Sequence, residues 1–246
     1  MSPKLEWSDA LGRLTRTERV EEQGILTWDL IRTAILEGNA AEALDWLEYI
    51  QHGENYVKPG GRPMAASIQG QLAYIAERYG EQYVEGALRF WRRKLIDAGG
   101  EPSYQMTPLE RLQYHAEMER ADYSGSDPTG FDVTEEADRY VMSMDPCGGC
   151  GVLRRQEAEG AGADLAKTSK EYLWSWGRAG VPYYCAHNCL WWEVMSIEDI
   201  GYPLKVYEWS EDVAQPCRVF FYKDPALIPE EYFTRAGFQK DPDKFK

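Results

Sequence analysis

Apolar positions in the first half of the chain recur at helical spacing. In "LTWDLIRTAILEGNAAEALDWLEYIQ", Leu26, Leu30, Ile31 and Ile35 form one stripe, and Leu44 and Leu47 begin another. Gly38 and Asn39 between them suit a helix stop followed by the N-cap of the next helix. "RPMAASIQGQLAYIAERYGEQYVEGALRFWRRKLIDAGG" repeats the device. Ile68, Leu72, Ile75 and Tyr79 align, Gly80 breaks the pattern, and Val84, Leu88, Trp91 and Leu95 align again. A fifth helix is predicted over "TPLERLQYHAEMERAD", entered through a Thr-Pro cap. No fixed period repeats, so a small helical bundle is expected over 24–125, after an N-terminal extension at 1–23.

From Gly130 the period changes to two. "FDVT-EEAD-RYVMSMD" and "GYPLKVYEWS-EDVAQ-PCRVFFYKD" each read as a β-hairpin. In the second, Leu204, Val206 and Glu208 face one way, and Lys205, Tyr207 and Trp209 the other. A helix is expected between them at "CLWWEVMSIEDIG". The Gly/Ala-rich stretch 157–169 reads as a mobile loop, placed where an active-site lid could hang. The expected fold class is α+β: the bundle, then a Cys-rich domain over 126–246 with two hairpins and a helix.

Charge narrows the partners. A net charge of −14 over 246 residues argues against a nucleic-acid backbone, whose recognition rests on clustered Lys and Arg. The one basic knot, "FWRRK" (90–94), reads as a solvated helix face with an aromatic edge. No apolar run is long enough to span a bilayer, and the N-terminus lacks the apolar core of a signal peptide. The expectation is a cytoplasmic protein with reduced thiols and no membrane or nucleic-acid partner, acting on a small molecule. Helical halves of this sort often pair, so a homodimer is a further expectation.

The five cysteines all fall in the last 100 residues. Four of them give the pattern Cys147-x2-Cys150 … Cys185-x-His187-x-Cys189. These five side chains are candidate ligands for zinc, which favours four soft or borderline donors in a tetrahedron. In an extended segment Cys185, His187 and Cys189 would project to one side, whereas in a helix Cys185 and Cys189 share a face without His187. Other chemistries fit the same residues. They are an iron–sulfur cluster on the four cysteines, a Cys147/Cys150 dithiol, a Cys147–His187 nucleophile and base, and buried thiols that merely pack. The glycines of "PCGGCG" could turn their N–H groups toward an anion or thiolate.

Glu193 follows the second cluster and flanks "WW", where aromatic walls would raise its pKa for general acid/base work. Five of nine tryptophans lie in 174–209. Trp174, Trp176, Tyr184 and Trp192 are candidates for the wall of a pocket, with Arg178 as a clamp for a carboxylate. Core packing explains the same density. His115 has Glu119 one helical turn on, a spacing that can ligate a metal, and His52 follows a helix end. Both read first as polar helix-surface or helix-end residues.

The second half resembles two related bacterial domains, the 4-vinyl reductase type and the 2-amino-thiazoline-4-carboxylic acid hydrolase type. The likeness spans 130–223 and lies in "MDPCGGCG" after a strand, "YYCAHNC" before a helix and the closing "W…QPCRVFFYK". It implies that Cys147, Cys185 and Cys217 are the recurring cysteines. The implied activity is hydrolysis of a small cyclic C–N bond, or ligand sensing. Cys150 and the crowded "CAHNC" depart from that pattern and favour an added metal. The expectation is a zinc-dependent hydrolase or lyase acting on a small aromatic or heterocyclic acid. Its alternatives are a non-enzymatic sensor with a structural zinc and a metal-free hydrolase with a Cys nucleophile.

Overall fold

The computed structural model describes residues 5–53, 61–99, 102–123, 130–162 and 164–245. Leu5–Ser8 (β1) and Arg13–Arg16 (β2) pair as an antiparallel hairpin ahead of the helices. Helix α1, Thr27–Leu36, ends where Gly38 takes a φ of +75°. Asn39 then caps α2, Ala40–His52, its side-chain oxygen accepting the Glu42 N–H. Gly80, at φ +108°, separates α3 (Gly61–Tyr79) from α4 (Gln82–Asp97). Thr107 opens α5, Pro108–Asp122, through a capping box with Glu110 and a proline in the first turn. The bundle helices therefore begin and end where the local signals place them.

Both expected hairpins form. Gly130–Glu135 (β3) pairs with Arg139–Asp145 (β4), and Val206–Glu208 (β5) with Cys217–Tyr222 (β6). They are not separate, because β4 also pairs with β6. The result is one antiparallel sheet of order β3-β4-β6-β5, with Met144 opposite Cys217 and Val141 opposite Phe220. Between the hairpins lie α6 (Cys150–Ala158) and α7 (Tyr183–Cys189). The latter runs through a π-helical turn, Leu190–Val194, into α8, Met195–Ile200. Helix α9, Glu230–Thr234, follows the sheet.

Helix α5 packs on β4 and β6, α7 on β5, and α3 on α4, α6 and α7. Leu72, Val84, Leu88 and Leu112 join Met142, Met144, Leu190 and Phe221 in one buried cluster, so apolar packing runs across residue 125. A smaller cluster of Ile31, Ala34, Ala43, Trp46, Tyr49 and Ile50 is confined to α1 and α2. Both faces of β5 are covered, with Val206 and Tyr207 buried and the preceding Lys205 only 1% exposed. No helix among the described residues is long and apolar enough to cross a membrane.

Two local expectations change. The basic knot on α4 is not a solvated face throughout. Arg92 is fully buried, its guanidinium 4.2 Å from the Trp192 ring centre, while Arg93 pairs with Asp199 at 2.7 Å. A cation can sit this deep because aromatic faces attract it electrostatically. The expected lid is pinned down. Residues 157 and 158 belong to α6, Leu165 and Thr168 are buried, and Gln69 donates to the Ala166 carbonyl at 2.6 Å.

Glu81, beside the start of α4, anchors the next part of this segment. Its carboxylate accepts from the Ser169 N–H (2.7 Å), the Ser169 hydroxyl, Tyr172 (2.9 Å) and Tyr183 (3.2 Å). Burial pushes the carboxyl upward, but these donors outweigh it and its pKa falls below the ordinary value. A depressed folded-state pKa means stabilisation present above the unfolded pKa and lost as pH falls through the folded one. Glu81→Gln is expected to lower stability by about 1–3 kcal/mol at neutral pH. Denaturant melts should show that difference shrinking below the usual carboxylate range; an equal deficit at acid pH would exclude the charge as its cause.

Candidate functional site

The "PCGGCG" turn connects β4 to α6, and its glycines are there for space. A Cβ on Gly148 would sit 2.5 Å from the Asp122 Cβ, and one on Gly151 would sit 2.9 Å from Pro146 and 3.0 Å from the Cys147 sulfur. Gly151, in the first turn of α6, donates its N–H to Cys147 Sγ at 3.0 Å, and Gly148 donates to Glu119 Oε2 at 3.3 Å. Backbone donors thus face one thiol and one buried carboxylate on neighbouring sides of the turn.

Cys147 does not stand alone. The β4–β6 register brings Cys217 to the end of β4, and α7 carries Cys185 toward the same place. Burial raises the Cys147 thiol pKa, and the charges of Cys217, Glu119 and Cys185 raise it further. Cys185 is raised by burial and by its hydrogen-bonded neighbour Cys150, and lowered by Arg154 and the Trp209 N–H. Cys217 is pushed up to about 12 by burial and then by Cys185, with Arg154 pulling the other way. Cys147 and Cys217 are half-buried, whereas Cys150 and Cys185 are buried. Arg154 roofs the group, donating to the Ser210 and Glu211 carbonyls, with its guanidinium 4.7 Å from the Trp209 ring centre. All five cysteines are unbridged.

His187 and Cys189 lie elsewhere. Because "YYCAHNC" is helical, His187 leaves the Cys185 face and nests among Tyr184, Trp191 and Trp91, its Nδ1 against the Tyr184 carbonyl. Cys189 accepts the Trp176 N–H and donates to the Leu173 carbonyl, both at 3.3 Å. The five sequence-derived ligands thus divide, and Cys217 joins Cys147, Cys150 and Cys185 in their place. Among the described residues no three His, Cys, Asp or Glu side chains are disposed to hold a metal ion as they stand.

Glu193 sits in the π-helical turn, fully buried, and both its oxygens are engaged. Oε1 accepts from Trp176 Nε1 (3.0 Å), the Tyr207 N–H (2.9 Å) and Arg235 Nη2 (2.7 Å), and Oε2 accepts from Arg235 Nε (2.9 Å). Burial raises its pKa, against the pull of Arg235 and the other donors. The candidate pocket walls are packing groups. Trp174 stacks on Tyr172, Trp176 on Trp209, and Trp192 lies between the cations of Arg92 and Lys205. The Tyr184 ring leans on His187, and exposed Arg178 donates to the Trp209 carbonyl.

The His115–Glu119 pair marked by its helical spacing lies beside the thiols and is joined there by Lys205 and Tyr207. His115 Nδ1 is 3.3 Å from Lys205 Nζ, and its Nε2 is 3.5 Å from Tyr207 Oη and 3.9 Å from Glu119 Oε1. The alternation that puts Lys205 and Tyr207 on one strand face was the available signal. His52, at the end of α2, lies apart from the thiols in a groove shared with the β1–β2 hairpin. No family model, no curated protein and no solved structure matches the chain.

Two outcomes follow from this geometry. In reduced native protein a small alkylating reagent should modify Cys147 and Cys217 before Cys150, Cys185 and Cys189, faster as pH rises. Time-resolved peptide mapping by mass spectrometry reads the order, and early labelling of Cys189 would contradict the packing. Glu193→Gln should lower stability by about 3 kcal/mol or more, because Arg235 is left without its buried anion. Chemical denaturation measures the loss; a change below 1 kcal/mol would mean the pair is not the clamp described.

Proposed function

We propose that the protein is a non-enzymatic small-molecule-binding protein whose α+β half is cross-linked by zinc on Cys147, Cys150, Cys185 and Cys217. The observation that carries this reading is that the β4–β6 register sets Cys217 beside the turn holding Cys147 and Cys150, with Cys185 on α7 coupled to Cys147, Cys150 and Cys217. Their number and softness suit zinc, which takes four thiolates in closed structural sites. Because the thiols do not surround a point as they stand, uptake involves their rotation between staggered rotamers, with loss of their protons. A reducing, cytoplasmic setting keeps them available.

Two further features support binding over catalysis. Glu193, the sequence-derived acid/base, has both oxygens held by Arg235, Trp176 and Tyr207. Cys147, Cys185 and Cys217 are also the cysteines through which the chain resembles the 4-vinyl reductase type of domain, for which ligand sensing is one implied role.

Elemental analysis of protein purified under reducing conditions, with cobalt substitution to report thiolate coordination, tests the reading. About one zinc per chain is expected for a four-thiolate site. Cys185→Ser and Cys217→Ser should lose it, whereas His187→Ala and Cys189→Ser should keep it. Affinity should fall steeply on acidification, since the raised thiol pKa values make proton release part of binding. Failure of the reduced protein to take up zinc, or full retention in Cys217→Ser, would overturn it.

A further inference from the structure

A groove of about 640 Å³ opens between α1, α2 and the segment that follows β2. None of the thiols lines it. Ile25, Leu30, Ala34 and Trp46 give it an apolar floor. Its charged residues are unbalanced: four carboxylates, Glu18, Glu22, Glu37 and Glu42, face two guanidinium groups, Arg16 and Arg19.

Both guanidinium groups are already engaged. Arg16 is buried and donates to Glu18 Oε1, to the Ile25 and Glu22 carbonyls and to Thr27, and Arg19 holds Glu22 Oε1 at 2.7 Å. The groove therefore carries surplus negative charge over an apolar floor.

Two buried polar atoms in the same wall have no hydrogen-bond partner among the described residues: Glu18 Oε2, an acceptor, and Trp46 Nε1, a donor. Trp46 is 5% exposed and the Glu18 side chain 9%. Buried polar atoms are normally satisfied, and leaving one unpaired costs more than an average hydrogen bond contributes. Both residues line a groove of ligand size, and because each of these two atoms has almost no solvent contact, a ligand reaches them as the side chains turn toward the groove. A cationic donor would satisfy Glu18 Oε2, and an oxygen or nitrogen acceptor would satisfy Trp46 Nε1.

We propose that this groove binds a small organic ammonium compound with an apolar or aromatic body and a hydrogen-bond acceptor. The ammonium group meets Glu18 and the carboxylate rim, the body covers Ile25 and Leu30, and the acceptor takes the Trp46 N–H.

Isothermal titration calorimetry of the full chain with tyramine tests this, because tyramine carries all three features. Two analogues separate them: 2-phenylethylamine lacks the acceptor, and 3-(4-hydroxyphenyl)propionate replaces the ammonium with a carboxylate. Tyramine is expected to bind tightest and the propionate not at all. Glu18→Gln should weaken tyramine by about tenfold, the worth of a charge-assisted hydrogen bond. Trp46→Phe should abolish the preference for tyramine over 2-phenylethylamine. Because Glu18 also holds Arg16, the exposed rim variant Glu37→Gln serves as the second probe. It should weaken binding by about two- to fivefold, an effect that salt removes. No heat from tyramine at millimolar concentration, or equal binding of the propionate, would overturn the proposal.

Discussion

The carboxylate of Glu193 is the point from which the second half of the molecule is organised. It lies with no solvent contact in a π-helical turn and receives hydrogen bonds from three separate segments. Trp176 ties it to the loop before α7, the Tyr207 N–H to β5, and Arg235 to the residue just after α9. A carboxyl group this deep is tolerable only when its oxygens are paired, and its partners cannot be exchanged singly. This junction joins the end of α7 to β5, adding to the packing of that helix on β5 and α3. From the π turn the carboxylate reaches β5, where it accepts the Tyr207 N–H.

The thiol group depends on a second constraint, the β4–β6 register. Pairing Met144 with Cys217 sets the last cysteine beside the turn that carries the first two. Gly148 and Gly151 then let that turn close against Asp122 and Pro146, where any side chain would collide. Proximity among the thiols is a product of backbone geometry, while burial and neighbouring charges raise the pKa values of Cys147, Cys185 and Cys217. Those two facts together describe thiols that are neighbours without yet surrounding a common point.

How much of this could be read from the sequence follows range. Helices, caps and hairpins were legible because their signals are local: Asn39, Gly80 and Thr107 each act within one turn. The closure of two hairpins into one sheet was not, since nothing in either strand names its distant partner. "CAHNC" left two conformations open, and helix formation separated His187 from Cys185. The density of tryptophan marked a core, with Trp192 taking Arg92 and Lys205 on its faces. Glu193 looked like a chemical group because its neighbours are aromatic, but its partner Arg235 comes more than a helix later in the chain. Buried Lys205 was foreshadowed only by sharing a strand face with Tyr207.

The order of the sheet bears on how the chain assembles. Strand β4 waits for β6 while α6, α7 and β5 are still to be made, so its closing partner is synthesised only after all three. Long-range pairing of this kind forms slowly. Cys147 and Cys150 leave the ribosome well before Cys185 and Cys217, and they spend that interval without the walls that later enclose them. Newly made chains are consequently the stage at which oxidants and stray metal ions have freest access to these thiols, and the finished fold is the stage at which they have least.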